Sequence, residues 1–106
     1  MVSRGDVWLA VLDPTVGSEI QKTRPCLIIS PPEIHDHLRT VIVAPMTSGS
    51  RSAGFRVPVS FQGVAGLILL EQSRALDKRR LIKKLGEVPS PVLTQALQTL
   101  REMYAE

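Results

Sequence analysis

No apolar run between Met1 and Glu71 exceeds seven residues, and proline or a cluster of glycine and hydroxyl residues closes most of them. Proline lacks a backbone donor and cannot extend a ladder, so this punctuation confines the chain to short strands. Five are expected. Asp6–Leu12 is closed by Asp13-Pro14, and Pro25–Ser30 is too continuously apolar to be half-exposed. Thr40–Met46 contains Pro45, which marks a strand end or a bulge; Phe55–Val59 alternates, with Pro58 suggesting an edge; Gly66–Glu71 is the fifth. Pro31-Pro32 opens a short helical turn from Glu33 to Leu38. Connections of about 3 to 10 residues favour antiparallel pairing, because a parallel crossover needs a dozen or more.

The period changes only in the last quarter. Asp77–Leu85 reads as a short helix ended by Gly86, and Ser90-Pro91 as the N-cap and first residue of a final one. Val92, Leu93, Ala96, Leu97, Leu100 and Tyr104 recur at spacings of three and four, which gives that helix one apolar stripe. The expected fold is mainly β with a C-terminal helix (α+β), a small, strongly curled antiparallel barrel with the helix laid on it.

A chain of 106 residues with this composition is expected to form one domain over 1–106, and its small core would gain from a partner subunit. One cysteine allows no internal disulfide, and Cys26, His35 and His37 cannot make a four-ligand zinc site, so no metal is expected. The polar N-terminus and the shortness of the apolar runs predict a cytoplasmic protein without a membrane partner. A net charge of +3 mildly favours a polyanionic partner.

The Gly-rich phosphate loop, HExxH, GxSxG and CxxC are all absent, which disfavours nucleotide hydrolases, zinc proteases and serine hydrolases. His35-Asp36-His37 reads as a solvated polar turn, and Cys26, inside an apolar strand, as a small buried hydrophobe with a raised thiol pKa. Arg24 is held extended by Pro25 at the junction of a polar loop and a buried strand, so the start of a long cationic side chain is fixed there. Its plain alternative is an ion pair with Glu19 or Glu71, and that of Thr47-Ser48 is a local turn cap.

Gly5-Asp-Val-Trp8, Asp13-Pro-Thr-Val-Gly-Ser-Glu19, Thr23-Arg-Pro25, Val41-Ile-Val-Ala-Pro-Met-Thr-Ser48, Gly63-Val-Ala-Gly66 and Gln72-Ser-Arg-Ala-Leu-Asp77 occur in this order. Together they resemble the MazF/PemK family of toxin endoribonucleases over nearly the whole chain. The resemblance implies an SH3-like barrel of the CcdB/MazF type, a homodimer that cuts single-stranded RNA without metal or other cofactor, and a cognate antitoxin that neutralises it. It places the catalytic arginine on Arg24, its hydroxyl partner on Thr47 and the loop glutamate on Glu19. The implied reaction is attack of a 2′-hydroxyl on its own phosphate, leaving a 2′,3′-cyclic phosphate and a 5′-hydroxyl. Arg24, always charged, suits phosphate stabilisation, Thr47 orientation of the phosphate, and Glu19 acceptance of the 2′-hydroxyl proton.

One branch of the family uses an arginine and an aspartate, two residues apart before the glutamine, as acid and base. Leu69 and Glu71 stand there, and histidine of that branch is replaced by Ser18. Leucine donates no proton, so the sequence looks more like the branch that relies on the loop arginine and threonine. Candidate RNA contacts are Lys22, Ser48, Arg51, Gln72 and Arg74. For Arg51 the alternative is a solvated charge, for Arg74 an ion pair with Asp77, and the run Lys78, Arg79, Arg80, Lys83, Lys84 reads as a solvated helix face. Trp8 is expected in the core or the dimer interface. Two other functions fit the same barrel: a protein-binding poison of DNA gyrase, as in CcdB toxins, or an RNA-binding module that has lost cleavage.

Overall fold

Side-chain alternation organises the molecule around a sheet buried on both faces. The structure is a computed structural model that describes all 106 residues. Its strands are β1 (Asp6–Val11), β2 (Thr23–Ile28), β3 (Thr40–Thr47), β4 (Arg56–Phe61), β5 (Val64–Leu69), β6 (Arg74–Asp77) and β7 (Leu81–Glu87). Helix α1 (Pro32–His35) is a single turn, and α2 (Ser90–Met103) closes the chain. Every strand pair is antiparallel, in the order β4-β5-β3-β2-β1-β7, with β6 also on β3.

Successive residues of a strand point to opposite faces. Leu27, Ile29, Ala44 and Met46 therefore share one core with Val7, Val57, Ile68, Leu70, Val88 and Ala96, against which Val92, Leu93, Leu100 and Met103 of α2 pack. Their neighbours Cys26, Ile28, Val41 and Val43 face the other way and make a second core with Ala10, Leu12 and Leu76, covered by Val2, Trp8, Ile20 and Leu81. Two cores explain why the central strands read as unbroken apolar runs. They also give Trp8 a half-buried place beside the second, with Nε1 donating to Asp6 Oδ2 at 3.2 Å.

Strand β3 is shared: Thr40–Val43 pair with β6 and Met46-Thr47 with β5, so the sheet folds over along it. Proline-bearing β4 lies at one edge, as Pro58 suggested, and β7 at the other. The β4–β5 hairpin turns through Gln62 and Gly63, both at positive φ (52° and 78°), the backbone a two-residue type I′ turn demands. Curling brings this turn to the far edge, where Gln62 Nε2 donates to Leu85 O at 3.0 Å and the Phe61 ring sits over Gly86. The result is an antiparallel half-barrel carrying a C-terminal helix.

Several sequence expectations change. Two more strands form than the five expected, β6 and β7, and Asp77–Leu85 is a 3₁₀ turn (Lys78–Arg80) followed by β7, not a helix. The basic run is accordingly spread over two elements. Arg80 bends back onto backbone carbonyls, Lys78 donates to His35 O, and Lys84 pairs with Asp6 and Glu87. Ser90 is inside α2 rather than its cap, with Pro89 in that place and no side-chain cap bond, and Met103 rather than Tyr104 completes the apolar stripe. His35 is 1% exposed, not solvated. Ser30 Oγ accepts the Ile42 N–H at 3.1 Å and shares a hydrogen bond with His35 Nδ1 at 2.9 Å. His37 remains exposed as expected.

Candidate active site

The two principal candidates flank the end of one ladder. Cys26 pairs with Pro45, Leu27 with Ala44 and Ile28 with Val43. Arg24 lies two residues before Cys26 on β2, and Thr47 two residues beyond Pro45, where β3 has passed to β5 and Thr47 pairs with Leu67. On the other side Arg24 pairs with Ala10, whose methyl group is too short to engage the guanidinium. The half-buried Arg24 donates from Nε to Gln21 O at 3.3 Å and has no ion-pair partner, so neither Glu19 nor Glu71 neutralises it. Thr47 Oγ1 accepts the Gly49 N–H at 3.2 Å, the local cap expected of it, and its hydroxyl proton stays available.

Glu71 is committed elsewhere. Arg56 holds one carboxylate oxygen from Nε at 3.0 Å and Nη2 at 2.7 Å, and this pairing raises the Arg56 pKa above its usual value. Leu69 is fully buried, so the position where another branch has an acid is core. Both facts leave chemistry to the loop between β1 and β2. There Glu19 is exposed, and its Oε1 takes the Val16 N–H at 2.6 Å.

This loop is tied down from the other end of the sequence. Gln72 Oε1 accepts the Ile20 N–H at 2.7 Å, Arg74 Nη1 donates to Leu12 O at 3.1 Å, and Arg80 Nη1 donates to Val11 O at 3.2 Å and to Asp13 O. Lys22 has φ 69°, a left-handed backbone held by bonds from its N–H to Asp13 Oδ1 and from Leu12 N–H to its carbonyl, each 2.9 Å. Arg74 thus makes no pair with Asp77; three residues apart on a strand, the two point to opposite faces, and Asp77 binds Arg79 at 3.0 Å.

Glu19, Gln72 and Arg74 line one cleft of about 190 Å³ with Leu12, Ile20, Pro45, Glu71 and Ser73. Thr47 lines a separate, mainly apolar pocket of about 90 Å³ with Pro25, Met46, Val59, Phe61, Gly66 and Leu67, and Arg24 lines neither. Lys22, Ser48 and Arg51 stand exposed on the flanking loops, and the Arg51 carbonyl accepts from Arg56 Nη1 at 2.9 Å. Sequence reasoning missed Arg80, whose reach of nearly seventy residues leaves no local signal, and Arg56, which alternates with apolar residues on an edge strand. No three His, Cys, Asp or Glu side chains gather into a metal-holding group.

Burial in the second core pushes the Cys26 thiol up to about 12, and its Sγ–H donates to Arg24 O at 3.6 Å. At pH 8 only about 10⁻⁴ of the thiol is ionised at that value. Native protein should therefore resist Ellman's reagent at pH 8 and release one equivalent of the coloured thiolate only in guanidinium; rapid labelling of the native fold would contradict this packing.

Comparison with known proteins completes the description. The profile of the PemK-like, MazF-like toxins of type II toxin-antitoxin systems matches residues 3–104. Endoribonuclease PemK of Escherichia coli is 39% identical over 105 residues, 93% of this chain and 79% of that protein. Endoribonuclease MazF of Staphylococcus epidermidis is 42% identical over 91 residues, 80% of this chain and 76% of that protein. MazF from Deinococcus radiodurans superposes with a TM-score of 0.85 at 28% identity, covering 96% of this chain and 94% of that one. In a MazE–MazF crystal from the same organism the TM-score is 0.72, also at 28% identity and with the same coverage. No helix is long and apolar enough to cross a membrane. With a family match over almost its entire length and the fold to go with it, the chain belongs to the PemK-like, MazF-like toxins of type II toxin-antitoxin systems.

Proposed function

We propose that this protein is an endoribonuclease toxin that cuts single-stranded RNA by in-line attack of a 2′-hydroxyl on the adjacent phosphate, independently of metal. The observation that carries the reading is an Arg24 guanidinium with no ion-pair partner and a Thr47 hydroxyl whose proton is uncommitted, on the two strands that meet at the Cys26–Pro45 end of one ladder. A guanidinium that remains charged binds two phosphoryl oxygens at once and stabilises the charge that grows on them. Thr47 donates its hydroxyl proton to the same phosphate and fixes its orientation. Glu19 accepts the 2′-hydroxyl proton through the carboxylate oxygen that Val16 leaves open, and the bond from phosphorus to the 5′-oxygen breaks as the cyclic phosphate closes, that oxygen taking a proton from water to leave as the 5′-hydroxyl.

Lys22, Ser48, Arg51, Gln72 and Arg74 follow the strand on either side, with Gln72 and Arg74 doubling as the ties that hold the loop. A homodimer and a cognate antitoxin belong to the same reading, supported by the MazE-bound relative. Incubation with a long mixed-sequence RNA and its DNA counterpart in excess EDTA tests it. RNA should be cut to 2′,3′-cyclic phosphate and 5′-hydroxyl ends while DNA, lacking the nucleophile, stays intact. Intact RNA, or cleavage only after a divalent cation is restored, would sink the mechanism.

A further inference from the structure

We infer that Gly66 is a positioning residue for Thr47: its bare α-carbon lets β5 lie directly against the Thr47 carbonyl and so fixes the backbone from which the site hydroxyl projects. A Cβ built on Gly66 would stand 2.7 Å from Thr47 O, 3.2 Å from Thr47 C and 3.6 Å from Ser48 Cα. The obstructing atoms are backbone, which cannot rotate away as the end of a side chain can. To reach ordinary van der Waals separation the Thr47–Ser48 peptide has to retreat by about 0.7 Å.

Local architecture directs the strain to the site. Gly66 is held on its other side by pairing with Val59 of β4, and its neighbour Leu67 is the partner of Thr47 itself. On the Thr47 side the ladder to β5 ends there, and exposed Ser48 and Gly49 follow. The yielding element is therefore the end of β3 and its loop, not the β4–β5 hairpin. Other glycines differ: nothing lies within 4 Å of a Cβ on Gly54, and that glycine has ordinary φ. Gly66 likewise lacks a positive φ, so the requirement for glycine there is one of space alone.

The inference rests on the role proposed for Thr47, and the test separates the two. Gly66→Ala, Thr47→Ala, the double variant and the Gly54→Ala control are compared for RNA cleavage under single-turnover and steady-state conditions, for thermal unfolding, and by amide chemical shifts. A displacement near 1 Å in a positioned group can cost about 10²-fold in rate. Gly66→Ala should lose roughly that much kcat with KM changed less than about threefold, should stay folded, and should shift amides around residues 46–49. Gly54→Ala should match the parent. Adding Gly66→Ala to Thr47→Ala should cost less than about threefold more, because the group being positioned is already gone. Full activity of Thr47→Ala would remove the proposed role of that hydroxyl. A crippled Thr47→Ala beside a fully active Gly66→Ala, additive losses in the double variant, or an unfolded Gly66→Ala protein would each overturn the positioning role.

Discussion

Replacing Arg24 by alanine should lower RNA cleavage by about 10³-fold, because it removes the charge proposed to stabilise the phosphoryl oxygens in the transition state. The fold should hardly notice. Arg24 is half-buried and makes one long bond, from Nε to Gln21 O at 3.3 Å, so the melting temperature should move by less than about 3 °C. Arg24→Lys keeps the charge but loses the fork that binds two oxygens together, and should recover no more than about a tenth of the parent rate. Circular dichroism melts beside a fluorogenic RNA assay decide the matter, and growth arrest on expression supplies a second readout. If Arg24→Ala still arrested growth as strongly as the parent, toxicity would come from protein contact, and DNA gyrase would be the first target to try.

Leu69→Arg should unfold the protein. It installs the residue that another branch of the family uses as an acid, at the same place before Gln72, yet here that place is completely buried. The change forfeits about 1.5–3 kcal/mol of leucine burial and leaves an unpaired cation in the interior, which costs several kcal/mol more. A domain of this size has about 5–15 kcal/mol in total, so the melting temperature should fall by roughly 20 °C or more. Leu69→Met, nearly equal in volume, should cost less than about 1.5 kcal/mol. A folded Leu69→Arg protein with faster cleavage would restore the arginine-based acid to consideration. Arg56, the register partner of Leu69, lies close by and is already bound to Glu71, so the new cation would also meet a like charge.

The difference between what the residues announced and what they built follows from distance along the chain. β1 to β5 were legible, to within a few residues, because proline and glycine closed runs whose apolar character matched a sheet buried on both faces. β7 was not, because Leu81, Ile82 and Leu85 fit a helical spacing as well as a strand interrupted by a bulge. Its ladder with β1 contains register shifts, between Val7 and Trp8 and between Leu9 and Ala10, which erase the alternation that would have identified it. Only a partner some seventy-five residues upstream selects the strand. β6 is four residues between two 3₁₀ turns, too short for any period to show. His35 reads as polar surface until Ser30 is seen to supply it a buried hydrogen-bond partner.

The candidate site divides in the same way. Arg24, Thr47 and Glu19 were nominated by resemblance, and Pro25 alone said where the arginine begins. Where Arg24 and Thr47 sit relative to each other depends on how β2 and β3 are registered, and eleven residues of turn and loop between those strands leave that open. Gln72 and Arg74 were expected as RNA contacts; their bonds to Ile20 and Leu12 add a scaffolding role that only the folded chain reveals.

The ties that hold the β1–β2 loop have a consequence in time. Gln72, Arg74 and Arg80 anchor residues 11–20 from more than fifty positions downstream, and β7 completes the flank of β1 later still. A nascent chain in which Arg24 and Thr47 have both left the ribosome still lacks every one of these anchors. The loop beside Arg24 therefore gains its ties only once residues as far along as Arg80 are free to reach it, so local order at the candidate site comes late and not as the chain emerges.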